Sequence, residues 1–385
     1  MASWSSWKPS TLPRLGKSTG NNMSKKYQIA TIEGDGIGPE VTQATMQVLD
    51  EACGKGGLHF EMLDGGANHY VKSGHVLPED TFDACRRMDA ILHGAAGMPG
   101  IVYPDGTEVG NDLHLRLRFR LDLYANVRPI KLLPGVLSPL RAFENGGIDY
   151  VIIRENTEGL YASRGAGVLL RDEFASDSLI ITRKGTERVA KFAFELARKR
   201  RGAQADGKAR VTVCDKANIL RAYAFFRAVC DDVHRDFSDV EIDYAYADAI
   251  TVHLLKRPDF YDVIVAENMF GDIISDLGAA TVGGMGISPS GEIGDQHALF
   301  QGAHGSAPDI AGQNLASPVA TILSAVMMLR WLGDKHGDAG ITQAGDRIEA
   351  AVGKVLAEKI AVPRDLGGQA SCTEMTEAVC KELAA

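Results

Sequence analysis

Tyr27-Gln-Ile-Ala-Thr-Ile-Glu-Gly-Asp-Gly-Ile-Gly-Pro-Glu40 is the stretch that decides the fold class. Residues 27–32 read as a buried strand. Gly34, Gly36 and Gly38 permit a tight turn and close approach to the backbone. Pro39 stands at the first position of a helix expected to run to about residue 52. The glycine spacing is not the dinucleotide fingerprint Gly-x-Gly-x-x-Gly. A phosphate cradle would need a Lys or Ser/Thr in the loop, and Asp35 is the side chain it offers.

Outward from this unit the alternation repeats. Strands are expected at 89–93, 124–130, 149–154, 210–214 and 261–266. Helices are expected at 111–123, 186–201, 218–234 and 248–256, from Asp272 onward, and at 317–333, 346–359 and 373–383. Strands alternating with helices indicate an α/β fold whose sheet faces are covered by helices. Residues 160–182 break the rhythm. They hold Gly165, Gly167 and a β-like run at 178–182, and read as an arm or hairpin that pairs with another subunit.

A chain of 385 residues predicts one large domain or two medium ones. The net charge of −9 argues against a basic nucleic-acid or membrane-surface partner. No apolar run approaches the roughly 18 residues of a membrane-spanning helix. The six cysteines form no Cys-x-x-Cys pair or zinc spacing and read as free thiols of a reducing cytoplasm. Residues 1–22 carry basic but no acidic residues and are expected to be a disordered leader or extension, with Met23 opening the domain.

Four clusters carry chemistry. Arg118, Arg128 and Arg154 stand at helix and strand ends, where guanidinium forks bind carboxylates bidentately. Asp272 and Asp276 lie four apart on one helix face amid Phe270, Ile273, Ile274 and Leu277. Their mutual repulsion and partial burial would be relieved by a divalent cation, and oxygen ligands select Mg²⁺ or Mn²⁺. Asp248, at a strand-to-helix junction, is a candidate third ligand. Lys216 lies just past a strand end, where nearby cations would lower its pKa and suit it to general-base work; Tyr161 is a candidate proton donor. The small-residue turn His304-Gly305-Ser306-Ala307-Pro308-Asp309 can admit a flat ligand. Asp309 there would bind a ribose 2′-hydroxyl and repel a 2′-phosphate, favouring NAD over NADP.

Taken in order, Gly-Asp-Gly-Ile-Gly-Pro-Glu-Val, Ala-Asn-Val-Arg-Pro, Arg-Glu-Asn-Thr-Glu-Gly-Leu-Tyr, Asp-Lys-Ala-Asn, Gly-Asp-Ile-Ile-Ser-Asp and His-Gly-Ser-Ala-Pro-Asp-Ile resemble the isocitrate/isopropylmalate dehydrogenase family of β-decarboxylating dehydrogenases. The resemblance runs from about Tyr27 to beyond Gly333. It implies a large mixed sheet in two interleaved α/β domains, not a Rossmann fold. Residues 23–124 and 283–385 would form the cofactor-binding domain, and 125–282 the dimerisation and substrate domain. It implies a homodimer or tetramer in which Lys216, Asn218 and Asp248 reach the neighbouring subunit's site. It also implies that Arg118, Arg128 and Arg154 hold a malate moiety and that Asp248, Asp272 and Asp276 bind the metal. Tyr161, Lys216 and Asp248 would move protons, while Ile37, residues 304–309 and Ser317 would meet NAD.

The chain departs from the family in two places. Gln301-Gly302-Ala303 replaces Glu-Pro-Val, and Ser317 replaces the Asn of Ala-Asn-Pro. Substrate choice falls to the helix face of Arg118, which carries Asn111, His114 and Leu115; Arg116 should point elsewhere. Isopropylmalate enzymes place leucines near His114 and Leu115. Isocitrate enzymes carry Ser and Asn where this chain has Asp112 and His114, and homoisocitrate enzymes an Arg where it has Leu115. None of these patterns is matched. The polar face suits a carboxylate, a hydroxyl or a short acid such as D-malate or tartrate. A non-catalytic regulatory subunit is the competing reading; it should have lost a metal Asp, Lys216 or Tyr161, and none is missing.

Overall fold

The computed structural model describes residues 26–54, 56–104, 106–110 and 112–385. The leader expected at 1–22 and the candidate Asn111 lie outside the described residues. In chain order the elements are β1 (Tyr27–Gly34), α1 (Gly38–Cys53), β2 (Leu58–Met62), α2 (Ala67–Ser73), α3 (Glu79–Arg87), β3 (Ala90–Ala95), α4 (Asp112–Arg120), β4 (Ala125–Lys131) and β5 (Asp149–Glu155). Then come β6 (Val168–Leu170), β7 (Phe174–Ser176), α5 (Arg183–Lys199), β8 (Arg210–Asp215), α6 (Arg221–His234), β9 (Glu241–Tyr246), α7 (Ala247–Lys256), β10 (Val263–Ala266) and α8 (Asn268–Thr281). The chain closes with β11 (Pro289–Ile293), β12 (Ala298–Gly302), α9 (Val319–His336), α10 (Ala339–Ala357) and α11 (Cys372–Ala384).

Ten strands form one sheet in the order β2-β1-β3-β12-β11-β4-β5-β10-β8-β9. Its two wings are parallel, but β12-β11-β4-β5 at the centre pair antiparallel. Strands from before residue 124 and after residue 283 lie on one side of the β11–β4 seam, and those between on the other. The seam is short: Gly291, Glu292 and Ile293 face Val127, Asn126 and Ala125. β3, β8 and β10 are buried along their whole length, which explains the apolar runs Ala90–Leu92 and Val263–Ala266, while β3 also buries His93 and β8 buries Arg210, Thr212 and Asp215. α9 is buried from Val319 to Gly333 and packs on β11 and β12, so its apolar residues run all round rather than in a stripe.

Several expectations shift. The helix carrying Asp272 begins at Asn268, because Glu267 caps it by accepting the Met269 N–H. α6 begins at Arg221, leaving Asn218 in the preceding turn. The arm is a hairpin of β6 and β7 rather than a strand at 178–182, where Ile180 makes a lone bridge to Gly159. Its turn places Arg171 and Asp172 in the left-handed region, at φ +52° and +56°. Neither is the glycine or asparagine that marks such a turn in sequence. β2, β9, β11 and β12 complete the sheet without having been anticipated.

Candidate active site

The Gly34–Gly38 loop is a packing device. Asp35 is fully buried and accepts the Ala67 and Gly97 N–H groups on one oxygen and that of Asn68 on the other, at 2.8, 3.0 and 2.8 Å. Gly36 has φ +57°, and a Cβ there would lie 2.0 Å from the Ser306 carbonyl oxygen. Ile37 donates its N–H to that same carbonyl at 2.8 Å and packs with Val41, Ala95 and Ala316, against Ala307 and Ile310. Sequence-predicted Ile37, Ser306 and Ala307 therefore meet. Ser306 is buried and donates its hydroxyl to the Gly97 carbonyl. Gly305 and Asp309 are exposed, and Ser317 donates to the Gly286 carbonyl at 3.1 Å. His304 donates its Nδ1–H to the Gly305 carbonyl at 3.0 Å, while its Nε2 is buried without a partner among the described residues.

The three arginines converge across the centre of the sheet. Arg118 is buried on α4, whose Leu113 and Leu117 anchor it in the apolar core. Its Nε and Nη2 grip both oxygens of Glu292 on β11 at 3.1 and 2.7 Å, and its Nη1 is left without a partner among the described residues. Burial alone would raise the Glu292 carboxyl, but Arg118 holds it down at about 2. Arg154, at the end of β5, donates Nε and Nη2 to Asn268 Oδ1 at 3.0 and 2.7 Å and Nη1 to Asp272. Gly271 lets α8 pass this strand end, since a Cβ there would sit 2.7 Å from Arg154 Cβ. Arg128 on β4 donates Nε to Asn126 Oδ1 at 2.8 Å and Nη1 to Ser275 Oγ and Asp276 Oδ1 at 2.7 and 3.2 Å. Its Nη2 is 3.4 Å from Asp272.

Asp272 is the hub, for Tyr161 also donates its hydroxyl to it at 2.9 Å. Burial would raise the Asp272 carboxyl, yet Arg154 and Arg128 bring it below its usual value. Burial and Asp272 raise the Tyr161 phenol, which keeps it protonated. Asp276 is raised by burial against the pull of Arg128.

Lys216 and Asp248 stand apart. Lys216 Nζ contacts Asp248 Oδ1 at 2.6 Å, so it sits beside this carboxylate and not among the arginines of its own chain. Among the described residues no group of three acidic, His or Cys side chains is placed to hold a metal ion. One chain thus brings Asp272 and Asp276 together but not Asp248. A divalent cation fits this oxygen-only pair once a further oxygen arrives from a ligand or from a second copy. Asn218 is exposed.

On α4, His114 is partly buried and Leu115 buried, while Arg116 turns outward to pair with Asp112 at 2.5 Å. Burial and Arg118 push the His114 imidazole down to about 3, so it is neutral. Sequence reasoning missed Glu292, Asn268, Ser275 and Asn126. Asn126 had a signal: two residues before Arg128 on a strand, it shares that arginine's face. It missed His93 too, which contacts Gln301 Oε1 through Nδ1 at 2.6 Å.

The sequence model of the isocitrate/isopropylmalate dehydrogenases matches residues 28–379. A 3-isopropylmalate/3-methylmalate dehydrogenase of Methanocaldococcus jannaschii is 42% identical over 362 residues, covering 93% of this chain and 99% of that one. A probable tartrate dehydrogenase/decarboxylase of Agrobacterium vitis is 38% identical over 369 residues, covering 94% and 98%. The crystal structure of an isocitrate dehydrogenase from Methylococcus capsulatus superposes with a TM-score of 0.82 at 34% identity, over 93% of this chain and all of that one.

Proposed function

Because the chain belongs to the isocitrate/isopropylmalate dehydrogenase family and is a β-decarboxylating dehydrogenase, we propose that it oxidises and decarboxylates a malate-type 2-hydroxy diacid with NAD and Mg²⁺ or Mn²⁺. The observation that carries this reading is the convergence of Arg128, Arg154 and Tyr161 on the Asp272 carboxylate. Arg118, with Nη1 uncommitted, and the two arginines beside it bind the substrate carboxylates. When bound between Asp272, Asp276 and the hydroxy-acid oxygens, a divalent cation supplies Lewis acidity, and NAD beside Ile37 and residues 304–309 supplies the hydride acceptor. Tyr161, protonated and hydrogen-bonded to Asp272, delivers a proton to the carbon that CO₂ leaves.

Lys216, paired with Asp248, takes the hydroxyl proton in the site of a second copy. The support for a dimer is the exposed apolar surface around this pair: Ile219, Leu220, Val252, Leu255 and Ile273 are 44–69% exposed. The hairpin adds Leu169 and Phe174, at 69% and 54%.

The test is NAD⁺ reduction with Mn²⁺ against D-malate, tartrate, isocitrate, homoisocitrate and isopropylmalate. Turnover of at least one acid is expected. Asp272→Asn should cost about a hundredfold or more in kcat/KM. Silence with the whole panel would overturn the reaction, and an unchanged Asp272→Asn enzyme the metal assignment.

A further inference from the structure

His93 and His114 lie near the Arg118–Glu292 pair, and His304 of the 304–309 loop lies near His93. His93 projects from β3 and is fully buried. Its electrostatic neighbours are Asp35, Glu292 and His304, and His114 in turn feels His93 and Arg118. His93 Nε2, His304 Nε2 and Arg118 Nη1 are all buried without a partner among the described residues. Buried polar atoms in a folded protein are almost always paired, so three in one region mark a place that a polar ligand completes.

The contact between His93 and Gln301 decides what His93 can do. Gln301 Oε1 can only accept, so Nδ1 carries the ring proton and Nε2 presents a lone pair. Gln301 occupies the first position of the tripeptide in which this chain departs from its family. A carboxylate in its place would draw a second proton onto the ring and turn Nε2 into a donor.

Charge narrows the ligand further. Arg118, Arg128 and Arg154 are matched by Glu292, Asp272 and Asp276, and the imidazoles are held neutral by burial. A diacid arriving with a divalent cation leaves that balance undisturbed. A third carboxylate would meet only neutral rings, which is costly in a buried site. An isopropyl group would seal the Nε2 acceptor away from any donor. A hydroxyl meets neither objection.

We propose that His93, oriented by Gln301, is a specificity-determining residue that accepts a hydrogen bond from a hydroxyl on C3 of the substrate, so that the preferred acids are 2,3-dihydroxy diacids of the tartrate type. This rests on the reading above that the chain oxidises a 2-hydroxy diacid.

The full-length protein, with NAD⁺ and Mn²⁺, is assayed on the three tartrate stereoisomers, D-malate, 3-isopropylmalate and isocitrate. One tartrate should exceed D-malate in kcat/KM by about tenfold or more, with isocitrate weakest. His93→Leu should lower kcat/KM for tartrate by about 10- to 100-fold and leave D-malate within about threefold. Gln301→Leu, which frees the tautomer, should shrink the same preference if His93→Leu fails to fold. Equal or better use of D-malate, isopropylmalate or isocitrate by the unaltered protein overturns the proposal. So does a variant that slows tartrate and D-malate alike. Turnover of D-malate without a tartrate preference leaves the reaction standing and removes this inference, whereas no turnover of any acid overturns both.

Discussion

Arg118 and His114 show how one helix face sets opposite demands on neighbouring side chains. Glu292 pairs with Arg118 in the interior, while burial and the nearby Arg118 strip His114 of its proton. Burial also lowers His93 and His304. In the unfolded chain these rings titrate near 6.5. Below that pH the unfolded state binds more protons than the folded one, so stability falls, and the loss runs on until His114 protonates near 3. Glu292 and Glu349, both held at about 2, stabilise the fold above the unfolded value of about 4.3 and lose that contribution as pH falls through 2. Denaturant midpoints should thus decline in two windows, the first opening just below pH 6.5, and His114→Gln should flatten the first. A constant midpoint from pH 7.5 to 5 would contradict this. Tyr161→Phe should lower kcat by about a hundredfold with KM within a few-fold; an unchanged kcat would remove the proton-donor role. Arg154 was legible as a charged residue ending an apolar strand, the aspartates as a like-charged pair amid apolar residues of one helix face, and Arg118, Arg128 and Tyr161 by their place in the motifs around them. Glu292, His93 and the His93–Gln301 contact were not, because their partners lie 174 and 208 residues away in sequence.

At the scale of an element, the Gly34–Gly38 turn was legible as a turn but not in its purpose. Its ligands are other loops: the carbonyl of Ser306 and the N–H groups of Ala67, Asn68 and Gly97. Gly36→Ala combines a strained φ with a Cβ pressed on a carbonyl oxygen. It should destabilise by roughly 2–4 kcal/mol and raise KM for NAD⁺. A melting curve and an NAD⁺ titration read both. Ser371→Ala is the contrast. It opens the capping box of α11, remote from the clamp, and should cost about 1 kcal/mol with kcat unchanged. Helix positions were read to within a turn in most cases because their apolar spacing is local. The hairpin turn at Arg171 and Asp172 was missed because it holds no glycine and strand pairing imposes a left-handed backbone on Arg171, which does not favour it.

For the whole molecule, alternating strands and helices were enough for an α/β fold and the family motifs for its mixed sheet. The antiparallel centre was invisible in periodicity, since pairing order depends on contacts between distant segments. The exposed apolar surface near Lys216 predicts a particle of twice the chain mass at micromolar concentration, read by light scattering. Mixing inactive Lys216→Ala and Asp272→Asn chains should restore part of the activity, because a hybrid dimer holds one intact site. Failure to restore any would place the two residues in the same subunit's site. The strand order also bears on synthesis. β3, buried throughout, has β12 as its inner neighbour, so it has no partner on that side until residue 302 has left the ribosome. The strands numbered 4, 5, 8, 9 and 10 are complete by residue 266. Nascent chains arrested near residue 300 should therefore show a protease-resistant middle and a digestible beginning, and the first hundred residues emerge as a debt to the last hundred that chaperones must hold open.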